Sequence, residues 1–216
     1  MHILAHRGLW RSPEEKNTRE ALNRAFRSGF GVETDVRDLN GELVISHDMP
    51  GDGALPLETV LDDYRLANQP GWLALNLKAD GLAAPLKKLL KRYGVERYFC
   101  FDMSVPDTLA CLREGLVSAA RISEYEPEGL LCTLAAAVWV DGFPPRQPDT
   151  GQLQRWLMLG KTVCLVSPEL HGCAAADFMA ALRLLPASIR KHPHLMVCTD
   201  HPRHAERTLK CPTYTV

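Results

Sequence analysis

The sequence predicts a single-domain α/β protein built as a (β/α)8 TIM barrel, and three observations support this prediction. Short runs rich in β-branched and aromatic residues alternate with segments of helical periodicity along the 216 residues. Most of these runs are continuously apolar, as expected for parallel strands that are buried on both faces. Polar residues also gather where the runs end, which is where active sites form in such barrels.

The predicted core strands share this apolar character. They cover residues 2–6, 31–36, 72–78, 98–102, 118–122, 137–141, 162–166 and 195–199. An extra strand over residues 42–46 follows Asn40-Gly41, a hairpin turn signal. An open doubly wound sheet is the alternative fold, but the turn after the first strand lacks the glycine-rich pattern that this fold uses to bind phosphate.

Helices are predicted between the strands, with the weakest periodicity in residues 128–134. The other helical segments are residues 18–28, 57–66, 82–93, 107–114, 152–159, 174–184 and 203–208. We expect Asn17 to be the N-cap of the first helix and Glu20 its capping-box acid. Gly94 is expected to end the third helix.

Composition excludes several classes of protein. The net charge of −1 and the absence of a Lys/Arg stripe argue against a nucleic-acid partner. No apolar stretch is long enough to span a membrane, and the start of the sequence lacks a signal-peptide pattern, so we expect a cytoplasmic protein. The seven cysteines include no C-x-x-C pair, which argues against a disulfide framework or a structural zinc site. No linker or composition break divides residues 1–216, so one domain is expected.

Candidate functional residues lie in three short segments near the start. Glu33 and Asp35 are two residues apart in a β-branched run, so their side chains point to the same face. Buried acids need a cation, and a hard divalent ion is suitable. His6 and His47 lie in segments on either side, at predicted strand ends. Lys78 could neutralise the acids, or it could be a Schiff-base lysine as in aldolases.

Together these segments resemble the glycerophosphodiester phosphodiesterase family, within the phosphatidylinositol-phospholipase-C-like barrels. The match is dense over residues 3–78 and returns near residues 195–202. The matching positions are His6-Arg7-Gly8, Asn17-Thr18, Ala25, Gly29, Glu33-Thr34-Asp35-Val36, Gly41, Val44, His47-Asp48, residues 55–61, Lys78 and Thr199-Asp200-His201-Pro202.

The resemblance implies a metal-dependent phosphodiesterase on a (β/α)8 barrel. In that case His6 and His47 would be the general acid/base pair, and Arg7 and Lys78 would bind the phosphate. By the same resemblance the divalent cation would be Mg²⁺ or Ca²⁺, with Mn²⁺ as a third candidate, held by Glu33 and Asp35.

The sequence departs from the family pattern in three ways. The third metal carboxylate is replaced by Asn76, whose amide oxygen could still ligate; Glu169 is the first candidate to substitute for it and Asp102 the second. Lys16 replaces the glutamate of the P-E-N-T motif, either as a contact for an anionic substrate or as a solvated residue. The substrate-covering insertion after His47-Asp48 is nearly absent.

An open site predicts a substrate that is larger than, or different from, a free glycerophosphodiester. A phosphodiester-linked glycan or a teichoic-acid-like polymer is therefore considered beside a small glycerophosphodiester. Aromatic residues near the strand ends could stack on a sugar or base, although Trp139 is expected to cap the barrel core instead. The residues considered are Trp10, Tyr125, Trp139 and Phe143.

Two other functions stay open at the level of sequence. The changes at Asn76 and Lys16 are consistent with a catalytically weakened barrel that binds a phosphorylated ligand. A Schiff-base lyase using Lys78 is the third hypothesis, but the Glu33/Asp35 pair has no evident role in that mechanism.

Overall fold

The computed structural model describes residues 1–144 and 149–210. Its strands, β1 to β10, are His2–His6, Gly31–Leu39, Glu42–Ile45, Leu55–Pro56, Leu73–Leu77, Tyr98–Phe101, Ala119–Ile122, Ala137–Val140, Thr162–Val166 and Leu195–Thr199. Its helices, α1 to α9, are Arg19–Arg27, Leu57–Leu66, Ala83–Arg92, Val105–Glu114, Leu130–Leu134, Thr150–Met158, Ala176–Leu184, Ala187–Arg190 and Pro202–Lys210. Short 3-10 turns cover Pro13–Glu15 and Pro168–His171.

Parallel strands form a ring in the order β1, β2, β5, β6, β7, β8, β9 and β10, with β10 paired to β1. The contact between β6 and β7 is the weakest part of the ring. It consists of a bridge between Cys100 and Ser118 and a hydrogen bond of 2.8 Å from the Cys100 N–H to the Val117 carbonyl. The predicted (β/α)8 fold class is confirmed. The short strand β3 pairs antiparallel with β2, and β4 pairs antiparallel with β3.

The core has an inner and an outer layer because successive side chains of a strand point to opposite faces. The barrel interior is filled by Leu4, Ala74, Phe99, Phe101, Ala119, Ala137, Trp139, Cys164, Val166, Met196 and Cys198. Two larger apolar clusters lie between the strands and the surrounding helices. The interior is therefore packed with side chains, and polar groups are left at the ends of the strands.

Most strand and helix positions follow the predictions, and the differences concern the N-cap of α1, the elements β4 and α8, and the end of β2. The N-cap of α1 is Thr18, whose hydroxyl accepts a hydrogen bond from the Ala21 N–H, so Asn17 and Glu20 do not form the predicted capping box. Asn17 instead has a φ of 62°, and its side chain serves another purpose described below. Helix α8 was not predicted, and β2 runs three residues further than expected.

The remaining features concern the surface and the cysteines. Residues 46–54 connect β3 to β4 directly, so this connection contains no additional helix or strand. Among the described helices, none combines the length and the apolarity that crossing a membrane requires. Six cysteines are free, and five of them are buried. Cys211 lies outside the described residues.

Candidate active site

A cluster of polar side chains lies inside the barrel at the carboxyl ends of β1, β2 and β5. The strand register pairs His6 with Glu33, and Asp35 with Asn76. Registered residues of parallel strands point to the same face, so these four side chains converge on one region. Glu33 and Asp35 are 2% and 0% exposed, which makes their charges expensive unless they are compensated.

The imidazole of His6 is oriented by Asp200, the residue after β10. The His6 Nδ1–H donates to Asp200 Oδ1 at 2.6 Å, since a carboxylate can only accept. The other ring nitrogen, Nε2, then lies 3.7 Å from Glu33 Oε2. Lys16 Nζ lies 3.2 Å from the second Asp200 oxygen and 4.7 Å from the centre of the Trp10 ring. Lys16 is therefore an ion-pair partner of the site and not a solvated loop residue.

Two opposing effects set the ionisation of Asp200. Burial alone would raise the pKa of this carboxyl, but the hydrogen bond from His6 and the positive charge of Lys16 lower it below its ordinary value. Asp200 is therefore a stable anion, which fixes both the tautomer and the orientation of the His6 ring.

The turn after β1 directs Arg7 toward Asp35. Arg7 has a φ of 55°, and its backbone N–H donates to the backbone carbonyl of Glu33 at 2.9 Å. Its Nε lies 2.8 Å from Asp35 Oδ2. Gly8 follows with a φ of 92°, and a Cβ at this position would lie 2.7 Å from the carbonyl carbon of Ala21. The glycine thus allows α1 to pack directly against the turn that carries His6 and Arg7.

Asp35 is surrounded by donors and cations. The Asn17 amide donates to Asp35 Oδ2 at 2.8 Å, and Lys78 Nζ lies 3.5 Å from Asp35 Oδ1. The Thr34 hydroxyl in turn donates to Asn17 Oδ1 at 2.8 Å, which fixes the direction of that amide. Sequence reasoning did not find this role for Asn17, although the residue belongs to the motif on which the resemblance was based.

Three buried oxygens in the cluster have no hydrogen-bond donor: Glu33 Oε2, Asp35 Oδ1 and Asn76 Oδ1. Burial, together with the charge of Asp35, raises the pKa of Glu33 to about 7, and nearby His6, Arg7 and Lys78 only partly oppose this effect. Orphaned carboxylate and amide oxygens at one site are suitable ligands for a hard divalent cation. Within residues 1–144 and 149–210 no three His, Cys, Asp or Glu side chains form a metal cluster, so such a site would depend on the Asn76 amide.

Asp102 orients Asn76 and extends the site toward β7. The Asn76 amide nitrogen donates to Asp102 Oδ2 at 3.1 Å, and Lys78 Nζ lies 3.8 Å from the same oxygen. Arg121 donates to Asp102 Oδ1 at 3.1 Å and also pairs with Glu126. Burial raises the pKa of Asp102, while Arg121 and Lys78 lower it in part. The bond to Asp102 fixes the nitrogen of Asn76 and leaves its oxygen without a partner.

Glu169 lies between the ends of β9 and β10. Its two carboxylate oxygens accept hydrogen bonds from the hydroxyls of Ser167 and Thr199, and the Asp200 N–H lies 3.3 Å from one of them. The structure thus brings Glu169 to the backbone of Asp200, while Asn76 stands in register with Asp35.

His47 follows β3 at the edge of the cluster. The Ser46 N–H donates to the Asp35 carbonyl at 3.1 Å, which ties this segment to β2. The His47 side chain is 48% exposed, and its Nδ1 lies 2.9 Å from Asp48 Oδ1. In the part of the chain that the structure describes, no hydrogen bond or ion pair joins the His47 ring to the other predicted site residues.

The aromatic residues near the strand ends separate into two groups. Trp139 is buried and stacks on Phe101 with ring centres 4.0 Å apart, so it belongs to the barrel interior. Tyr125 and Phe143 are exposed, and their ring centres are 5.8 Å apart. This exposed pair lies at the carboxyl end of the barrel, in the segments that follow β7 and β8.

Comparison with known proteins bears on the fold. No protein-family model matches the sequence, and no curated protein matches it. Among solved structures, the glycerophosphodiester phosphodiesterase from Agrobacterium tumefaciens is 18% identical, with a TM-score of 0.66 over 96% of this chain and 98% of that one. A Galdieria sulphuraria protein assigned the same activity is 19% identical, with a TM-score of 0.71 over 97% and 98% of the two chains.

A third neighbour is the Ca²⁺-dependent phosphatidylinositol-specific phospholipase C from Streptomyces antibioticus. It is 11% identical, with a TM-score of 0.52 over 96% of both chains. At these identities the likeness concerns the fold. The chain therefore has the barrel fold of the glycerophosphodiester phosphodiesterases over nearly its whole length, in agreement with the resemblance found in its motifs.

Proposed function

We propose that this protein is a divalent-metal phosphodiester hydrolase of the glycerophosphodiester phosphodiesterase type. The observation that carries the proposal is the buried group of unpartnered oxygens on Glu33, Asp35 and Asn76, beside a histidine that is oriented by Asp200. The shared fold supports the same reaction class.

Glu33, Asp35 and Asn76 would hold the cation, with Mg²⁺ and Ca²⁺ as the first candidates and Mn²⁺ as the third. The cation would supply positive charge that offsets the phosphodiester anion and polarises its phosphoryl oxygen. Asn76 is preferred over Glu169 as the third ligand because the Glu169 oxygens already accept two hydroxyl hydrogen bonds.

Arg7 and Lys78 would bind the non-bridging phosphate oxygens. Both flank Asp35, so their charges are held at the cluster before substrate arrives. The guanidinium can donate two parallel hydrogen bonds to phosphate, and the ammonium acts as a point charge. Their joint effect is to reduce the repulsion between the phosphodiester and an attacking oxygen.

His6 and His47 would act as the general base and the general acid of the reaction. Because His6 Nδ1–H is bound to Asp200, the neutral ring presents Nε2 as a base toward the cluster. His47 would act as the partner acid from the rim, where its ring is accessible. An imidazole with a pKa near 6.5 can perform either task at neutral pH.

The test is turnover of bis-p-nitrophenyl phosphate with Mg²⁺, Ca²⁺ or Mn²⁺. We expect EDTA to abolish it, and His6→Ala and His47→Ala each to reduce kcat by at least about 100-fold. His204→Ala, on the exposed part of α9, is the matched control and should be as active as the wild type. Unchanged activity in both site variants would contradict the acid/base assignment.

A second experiment decides between the candidate third ligands. Asn76→Ala should weaken cation binding, measured by calorimetry, by at least about tenfold, because one oxygen ligand is lost. Glu169→Gln should leave it nearly unchanged. The reverse result would assign the third ligand to Glu169.

The other hypotheses predict different outcomes. A weakened binding barrel would bind a phosphodiester tightly without turnover under any of the three metals. A Schiff-base lyase would give Lys78 labelled by borohydride with a carbonyl compound. Lys78 is an ion-pair partner of both Asp35 and Asp102, a position that favours phosphate binding over attack on a carbonyl compound.

The proposed substrate is a glycerophosphodiester or a phosphodiester-linked glycan. The exposed pair Tyr125 and Phe143 is the feature that supports a sugar, since aromatic faces pack on apolar ring surfaces. Tyr125→Ser would then raise KM for a glycan-linked substrate and leave KM for bis-p-nitrophenyl phosphate unchanged.

A further inference from the structure

An apolar groove runs along the outside of the barrel between α4 and α5. Helix α5 has only five residues, so it leaves part of the outer face of β7 uncovered. The groove has a volume of about 510 Å³, within the range of small-molecule sites. Large apolar side chains line it although they are substantially exposed: Val105 57%, Leu109 41%, Leu130 73% and Leu134 50%.

One end of this groove opens at the proposed phosphodiester site. Asp102 and Arg121 line the groove and also the polar cavity that contains Lys78. The charged residues that line the groove are Asp102, Arg121 and Glu126, and they form one ion-paired cluster. The remaining lining is apolar or small and uncharged, so the groove changes from charged to apolar with distance from the site.

We propose that this groove binds the alkyl or acyl chain of a single-chain amphiphilic phosphodiester whose phosphate lies at Arg7 and Lys78. The inference rests on the proposed hydrolase function and specifies one substituent of its substrate. The continuity of the groove with the charged cavity supports this occupant, because an amphiphile joins an anionic head to an apolar tail in the same order. Four apolar side chains facing water are also costly to maintain without a ligand.

The test compares two p-nitrophenyl phosphate diesters, the methyl ester and the decyl ester, below the micelle concentration of the longer one. Each fully buried methylene can strengthen binding by up to about fourfold. We expect kcat/KM to be at least about 30-fold higher for the decyl ester, mainly through a lower KM. Equal kcat/KM values for the two esters would overturn the inference and leave the proposed hydrolase function intact.

Variants locate the effect in the groove. Leu130→Gln combined with Leu134→Gln should remove most of the advantage of the decyl ester and leave methyl ester hydrolysis unchanged. The matched control is Leu159→Gln with Leu184→Gln, which changes two exposed leucines at the ends of α6 and α7. If both pairs of substitutions have the same effect, the inference is wrong.

Binding measured without turnover tests the groove independently of the proposed hydrolysis. Calorimetry with decylphosphonate and methylphosphonate requires no turnover, and the wild type should bind the decyl compound at least about tenfold more tightly. If the protein hydrolyses neither ester but still binds the decyl compound more tightly, the proposed hydrolase function is wrong and the proposed role of the groove stands. A stable wild-type dimer that the Leu130/Leu134 variant dissociates would assign the groove to a second copy of the chain and overturn the inference.

Discussion

At the scale of single residues, the tautomer of His6 is the property on which the proposed chemistry depends most. Asp200 accepts the Nδ1–H of His6. Lys16 and the hydrogen bond from the Asp200 backbone N–H to the Glu169 carboxylate hold Asp200 in place. Glu33 faces the remaining ring nitrogen. A histidine without this orienting carboxylate would divide its population between tautomers and ring rotations, and the fraction able to accept a proton at Nε2 would fall.

Asp200→Asn tests this dependence. We expect kcat for bis-p-nitrophenyl phosphate to fall by about 10- to 100-fold with little change in KM, because the amide no longer stabilises the imidazolium that forms. The measurement is steady-state kinetics across pH, where the limb governed by His6 should also shift. Asp177→Asn, an exposed position on α7, is the control. A kcat equal to that of the wild type would show that Asp200 has no positioning role.

In the proposed metal site, Glu33 would make cation binding dependent on pH. Burial raises the pKa of Glu33 to about 7, so in the metal-free protein a proton occupies the carboxyl below that pH. A cation needs the carboxylate, and its affinity should therefore rise with pH and level off above about 7. Below that value we expect a loss of about tenfold per pH unit, measured by calorimetric titration.

Glu33→Gln should bind the cation more weakly and remove most of this pH dependence. Glu20→Gln, an exposed acid on α1, should behave like the wild type. An affinity that stays constant between about pH 5.5 and 8 in the wild type would contradict the role of Glu33 as the titrating ligand.

The residues of the site differ in how far the sequence could predict them. Spacing alone placed Glu33 and Asp35 on one face, since a strand alternates its side chains with a period of two. It could not show that Asn17 binds Asp35, or that Ser167 and Thr199 occupy the oxygens of Glu169, because these contacts join segments that are far apart in sequence. The family pattern shows only that Asn76 replaces a carboxylate. That its oxygen has no partner follows from the three-dimensional bond between its amide nitrogen and Asp102.

At the scale of elements, the connection between β1 and α1 sets the position of both His6 and Arg7. The strand bounds were predictable because long apolar runs are bounded by glycine and polar residues. The N-cap was not, since Asn17 and Thr18 both suit that position and the choice depends on the attraction of the Asn17 amide to Asp35. Tertiary contacts thus overrode a local preference.

Gly8→Ala should destabilise this connection. A Cβ at Gly8 would meet the backbone of Ala21 at 2.7 Å, and the φ of 92° is unfavourable for any side chain. We expect a loss of about 2–4 kcal/mol in the free energy of unfolding, measured in urea. Gly115→Ala, with a φ of 74° and open space around it, should lose only about 1 kcal/mol. Equal losses at the two positions would remove the close packing of α1 from the explanation.

At the scale of the whole molecule, the two ends of the barrel carry different sets of ionisable groups. The carboxyl end collects the charged groups of the site, whereas the amino end holds a group of histidines with the N-terminal amine. His192 and His194 have ring centres 5.8 Å apart, and Thr162 and His194 are hydrogen-bonded at 3.1 Å. Burial, the N-terminal amine, Arg97 and His194 lower the pKa of His2, and burial and His194 lower that of His192.

This group predicts loss of stability in acid. The unfolded chain binds protons at the ordinary histidine pKa of 6.5, whereas folded His2 and His192 bind them only at lower pH. At these two histidines the unfolded state therefore holds more protons below about pH 6.5, so their contribution to stability is complete above that value and falls as the pH decreases. Glu33, whose pKa is raised to about 7, contributes in the opposite direction, so the effect of the histidines is the difference between two profiles. Thermal unfolding of the wild type and of His2→Gln with His192→Gln between about pH 5 and 8 measures this difference, and the variant should lose less stability in acid than the wild type. His204→Gln, an exposed position, should leave the profile unchanged.

The pairing of β10 with β1 has a consequence for how the protein is made. Residues 6 and 200 meet through the bond between His6 and Asp200, so a histidine on the first strand of the barrel depends on a partner that is synthesised 194 residues later. A nascent chain that lacks β10 has neither a closed ring nor an oriented His6. The proposed activity would therefore begin only after β10 has emerged from the ribosome, and translation products that stop before this strand would be inert.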